Sequence, residues 1–251
     1  MINKIIFSFF SAALVLGLCL PAGAQQINDS EALKEYSESK IESVKIEILK
    51  TLGENMIQRR LNALSYARNL LAQARLVAAD VKDEVGEMLE RDEAGLATLK
   101  DEIESEGSLD ALKNKVQSIV NDFRIYIVEL PKAHGLAVVS HYRGMSDKLD
   151  QLADRINEFS READVDKEKI DEMIDSAKNL LLSAEKNLDE AEKKYNEMDI
   201  EWPTRATTLN LEGRGKIIDA QGELNGAFTK LKQAAAEIKS VLADEEDEER
   251  E

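Results

Sequence analysis

Turn-forming residues are scarce. Gly 12 and Pro 3 in 251 residues is about half the ~12% that these two residue types contribute to an average chain. Sandwiches and barrels place such residues at nearly every turn, so both architectures are excluded. A single Cys excludes a disulfide-stapled scaffold. Basic residues are also few, 33 Lys and Arg against 50 Asp and Glu, for a net charge of −17. That charge repels nucleic acid and anionic lipid, so neither is an expected partner. Aromatics make up 5%. Only one long apolar run is present, and it lies at the start of the chain.

What is present points to helices. The chain is 43% hydrophobic, too apolar for a wholly disordered protein, and its charge is carried by Glu, Asp and Lys among Leu and Ala. Residues 1–24 read as an export signal: Lys4 as the positive end, an apolar run from Ile5 to Leu20, then Pro21 and the small-x-small cleavage signature Ala22-Gly23-Ala24. A run of about 16 residues is short for a membrane span of ~20. Cys19 raises the rival of an acylated lipoprotein, but Leu18 stands where a lipobox places a small residue. Cleavage after Ala24 removes Lys4 as its only charge and leaves a Cys-free chain of 227 residues at −18. The expected location is periplasmic, cell-surface or secreted, with no transmembrane span in the mature chain.

Periodicity divides residues 25–243 into about five helical segments, 28–79, 81–106, 109–160, 167–198 and 206–243. The first is interrupted by Gly53. Asp92 intrudes on the apolar stripe Val85, Leu89, Leu96, Leu99, Ile103 of the second. Gly107-Ser108 reads as a C-cap followed by an N-cap. The third carries Pro131 and a kink there, then a stripe of Val138, Tyr142, Met145, Leu149, Leu152, Ile156 and Phe159. The last two repeat most regularly. Ile170, Ile174, Ala177, Leu181, Ala184, Leu188, Ala191, Tyr195 and Met198 step by four and three; so do Ile217, Ala220, Leu224, Ala227, Leu231, Ala234, Ile238 and Val241. Large residues alternate with Ala, so the two helices can approach closely, antiparallel across a short connection. The expected fold is all-α, an elongated antiparallel, coiled-coil-like bundle. Residues 244–251 hold seven acids and one Arg, read as a disordered acidic tail.

Candidate chemistry thins out when weighed. His134 and His141, seven apart, share a helix face, yet lack the Glu-x-x-His pairs of ferritin-like bundles. Asp164-x-Asp166-x-Glu168 resembles a calcium loop without its glycine; Lys169 stands there, and helix-capping acids explain the pattern. Gly213-Arg214-Gly215-Lys216 lacks the Ser/Thr and the first glycine of a phosphate loop. Acid pairs such as Asp101-Glu102 and Glu245-Glu246 fit solvated faces, and Arg59-Arg60 is an isolated basic spot. The expectation is no catalytic residue, no metal and no cofactor. The segment from Phe123 to Lys132 stands apart: Phe123, Arg124, Tyr126 and Pro131 are the candidate interaction residues, for a protein partner or for self-association.

Four stretches, L-N-A-L at 61–64, L-A-T-L-K-D-E-I at 96–103, S-L-D-A-L-K at 108–113 and S-I-V-N-D-F-R-I-Y-I-V-E-L-P-K at 118–132, resemble a family of exported, signal-peptide-bearing, all-helical bacterial proteins with an F-R-I-Y…P core motif. The likeness spans about 55 to 242. It implies secretion and a helical fold and carries over no catalytic residue. The acidic balance and the tail from Asp244 depart from it. The expected function is a non-enzymatic scaffold, spacer or interaction module of the cell envelope. The alternative is a carrier or chaperone-like bundle that holds an apolar ligand or client chain between helices.

Overall fold

The computed structural model describes residues 26–162, 167–199 and 201–248. The expected leader, Asp164 and Asp166 and the last three tail residues lie outside them. The described chain forms α1 (Gln26–Glu38), α2 (Glu42–Gln73), α3 (Ala79–Ser105), α4 (Leu109–Asn121), a π-helical turn (Ile125–Glu129), α5 (Leu130–Glu162), α6 (Lys167–Asn196) and α7 (Pro203–Glu248). It is an all-α helical bundle.

The expected run 28–79 is two helices. The break falls at 39–41, where Ser39 Oγ accepts from Ile41 N at 3.3 Å and Ile41 is extended; a serine hydroxyl there competes with helix continuation. Gly53 does not interrupt α2. It lies buried where α2 crosses α3 and α4, and a Cβ there would stand 3.1 Å from Ile103 and 3.2 Å from Val116. Ser108 caps α4 by accepting from Ala111 N, as its sequence position indicates.

α5, α6 and α7 form a three-helix rod. Lys169–Glu237, Lys194–Glu212 and Lys216–Glu190 ion pairs close at 2.7, 2.7 and 2.6 Å. Each pair is symmetric in sequence about Pro203, a relation only antiparallel packing of α6 on α7 produces. Arg143–Asp189 and Lys178–Asp154, at 2.6 and 2.7 Å, likewise share one midpoint, so α5 also runs antiparallel to α6. Every member of the expected α6 stripe, Ile170 through Met198, is buried; so is the α7 stripe from Ile217 to Ile238, which continues back through Gly213, Leu209 and Ala206.

Three expectations change. In α5 the buried seam is Val139, Ser146, Leu149, Ala153, Ile156 and Ser160. Met145, Leu152 and Phe159 sit one position off it, on the flank, and Phe159 is exposed. Small residues at 146, 153 and 160 form the face that α5 turns to its neighbours, and the larger side chains are displaced outward. The disruption expected at Pro131 begins earlier, at Asp122. Finally α7 runs to Glu248, so residues 244–248 of the expected disordered tail are helical.

α2, α3 and α4 pack as a second group, which meets the rod through α5. The α2–α3 connection seats on α5: Ala78 N donates to Ser140 Oγ at 2.8 Å. A Cβ on Gly144 would lie 2.7 Å from Leu76 O, so only glycine admits that backbone.

Candidate functional site

The two helical groups are joined by the π-helical turn, and the sequence candidates surround it. α4 ends as Asp122 N bonds Ser118 O at 2.8 Å. Ile125 N then bonds Phe123 O and Val128 N bonds Arg124 O, both at 2.8 Å, and Leu130 N closes the wide turn on Ile125 O. Pro131 follows directly. Its ring lacks an N–H and presses on the preceding turn, so widening that turn removes both conflicts.

The four candidates part company here. The Phe123 ring fills the space above Gly95 of α3, where a Cβ would stand 2.6 Å from it. Pro131 and Arg124 are half-buried. Tyr126 is 42% exposed, with the Arg60 guanidinium 5.3 Å from its ring centroid. Arg60 itself is buried at 8% exposure and donates through Nη1 to Met56 O at 3.1 Å. Desolvation there holds its pKa below the usual guanidinium range.

Asp92, the intruder in the α3 stripe, faces the same turn. Burial, and then the Glu129 carboxylate, push its carboxyl up to about 7, against the pull of Arg91. Burial also raises Glu129, opposed by Lys132 and Arg91. Arg60 Nε, Asp92 Oδ2 and Arg124 Nε are, among the described residues, the buried side-chain nitrogens and oxygens without a hydrogen-bond partner. Chemically this arrangement takes up and releases a proton near neutral pH. The sequence flagged Arg60 only as half of a basic pair and Asp92 only as a stripe defect. Glu129 carried no signal, because its burial depends on the turn.

Two hollows flank the turn. One, about 240 Å³, lies between Glu84, Glu87, Met88 and Arg91 of α3 and Lys132 and Leu136 of α5. The other, about 50 Å³, is an apolar crevice of Leu71, Val77, Leu89 and Ala133 into which His134 and His141 both face. Burial lowers the pKa of both imidazoles; Arg214 adds to this at His134, and Lys148 at His141. Ligand pockets measure roughly 300–1,000 Å³, so the crevice is far below that range. Among the described residues no three His, Cys, Asp or Glu side chains form a group able to hold a metal ion.

The remaining motifs resolve locally. Gly213-Arg214-Gly215-Lys216 lies inside α7, with Gly213 buried under the Tyr195 ring. Asp101 and Glu102 are exposed, and Glu102 pairs with Lys115 at 3.4 Å. No described helix is long and apolar enough to cross a membrane. Set against family models, curated proteins and solved structures, the chain has no significant match.

Proposed function

We propose that the protein is a non-enzymatic, exported member of the helical family its F-R-I-Y…P segment resembles, acting as a scaffold, spacer or protein-interaction module of the cell envelope. The observation that supports this reading is the interior of the rod. Small and large side chains alternate along α5, α6 and α7 and interlock, which makes a stiff spacer and leaves the outer faces free for partners. The exposed pair Tyr126 and Ile127 on the π-helical turn is one such outer surface.

The carrier reading draws on the His134–His141 crevice. At about 50 Å³ it is too small for a lipid or haem without the helices parting, so the scaffold reading is favoured. Mass spectrometry of protein purified under native conditions separates the two. Unliganded protein is expected; stoichiometric lipid, haem or metal would overturn the scaffold reading. Export is tested by fusing residues 1–30 to a reporter active only outside the cytoplasm, with signal expected and its loss sinking the compartment assignment.

A further inference from the structure

The outer face of α7 differs from the rest of the rod. From Thr208 to Thr229, positions stepping by three and four read T-L-G-I-G-N-T, all exposed and none charged, in a chain that is one-third charged. Leu211 and Ile218, one heptad apart, are 62% and 63% exposed. Gly215 and Gly222 between them have open space where a Cβ would point. A glycine inside a helix weakens it, and nothing among the described residues uses the room these two leave. The pattern repeats the large-small alternation that the buried seam of the same helix uses to pack on α6.

The flanks of this face name its occupant. Taking the face as a helix–helix seam, Arg214 occupies the flank on one side and Asp219, five residues later, the flank on the other. In a parallel, in-register pair of identical helices those are the two positions that meet across the interface, so Arg214 of each copy reaches Asp219 of the other. Among the described residues neither makes an ion pair within its own chain. The other flank pairs bring no like charges together: Thr207 meets Glu212, Gln221 meets Gly226, and Phe228 meets Gln233. Asn225 falls on the seam itself and adds no charge to it.

We propose that this face joins two copies of the chain, α7 to α7, parallel and in register. The inference rests on the interaction-module reading and supplies its partner. The two fail separately. Copurified ligand would remove that reading and leave dimerisation standing, whereas an unliganded monomer would remove this proposal alone.

The test is sedimentation equilibrium on protein expressed from the full-length gene. Wild type is expected to pass from monomer to dimer across the micromolar range. Ile218→Asp, at an exposed position that leaves the monomer folded by circular dichroism, is expected to weaken association at least about tenfold. Gly222→Gln fills the open groove; it should raise the melting temperature of the monomer while lowering association. Arg214→Asp and Asp219→Arg should each weaken the dimer, and the double exchange should restore it. A monomer at every concentration overturns the proposal, as does a dimer indifferent to Ile218→Asp. Failure of the double exchange to restore association overturns the parallel pairing.

Discussion

Single side chains set the limits of this bundle where three helices meet. Tyr195 of α6 is buried between Gly135 of α5 and Gly213 of α7, and burial lifts its phenol to about 12. A Cβ at Gly135 would run into the ring itself. Gly135→Ala should therefore cost about 1–3 kcal/mol by overpacking, whereas Gly215→Ala, in open space, should gain about 0.5–1 kcal/mol from helix propensity. Urea unfolding of the two variants checks the contrast, and equal effects would mean that the ring moves aside freely. Titration works at the same scale. Folding raises the Asp92 carboxyl from 3.8 to about 7, so the native state binds the extra proton. Its contribution is complete below about pH 4 and is lost as pH rises through 7. Asp92→Asn should flatten that loss and be more stable at pH 8. Partial solvent access holds the gain to about 1–2 kcal/mol, well under the full shift. The histidines act in the other direction. Their folded pKa values lie below 6.5, so their contribution is complete above 6.5 and is lost as pH falls below it. His134→Gln with His141→Gln should flatten the acid side of the stability profile, while Asp92→Asn flattens the alkaline side.

At the level of the helix, the α6 and α7 seams were legible residue by residue because a strict repeat of large and small residues leaves one choice of face. α5 was legible only in outline. Its repeat is carried by Ser146, Ala153 and Ser160, and a search for large apolar residues lands one position early, on Met145, Leu152 and Phe159. Hydrophobicity alone cannot find a seam whose purpose is to be thin. The π-helical turn was signalled by Pro131 but not placed, since the turn relieves the conflict upstream of the residue that causes it. The break at 39–41 depends on a serine hydroxyl turning to its own backbone, a local competition that periodicity does not register. Asp92 was visible as a defect, and its proton affinity was not, because that requires Glu129 to be brought alongside. The shifted α5 seam makes a direct prediction. Ser146→Leu should destabilise by about 1–3 kcal/mol, since a large side chain there wedges α5 from the other helices of the rod. Met145→Leu, on the flank, should stay within about 1 kcal/mol. The reverse order in thermal or urea denaturation would restore the stripe read from hydrophobicity.

Across the whole molecule, packing declines from the rod outward, and that gradient decides how such a protein behaves under load. α6 and α7 share the most extensive interface, interlocked along their length and bridged by one ion pair at the far end and two near the connection. α2, α3 and α4 cross one another and are tied to α5 by the seated α2–α3 connection and the π-helical turn. α1 packs on α2 and is mostly exposed, with Tyr36 under Lys45 at 5.1 Å among its few fixed side chains. Local opening costs least where buried apolar contact is least. On that ground α1 should open while the rod stays closed. Native-state hydrogen exchange should therefore rank the amides: fastest in α1, intermediate in α2 to α4, slowest in the shared stretch of α6 and α7. Screening enters too, because acids spread over all helices repel one another at low ionic strength. Added salt should slow exchange in α2 to α4 more than in the rod, whose cross-helix ion pairs lose attraction as the net repulsion falls. Exchange of α6 and α7 through the same opening as α1 would mean a single cooperative unit in place of a rod with a looser cap.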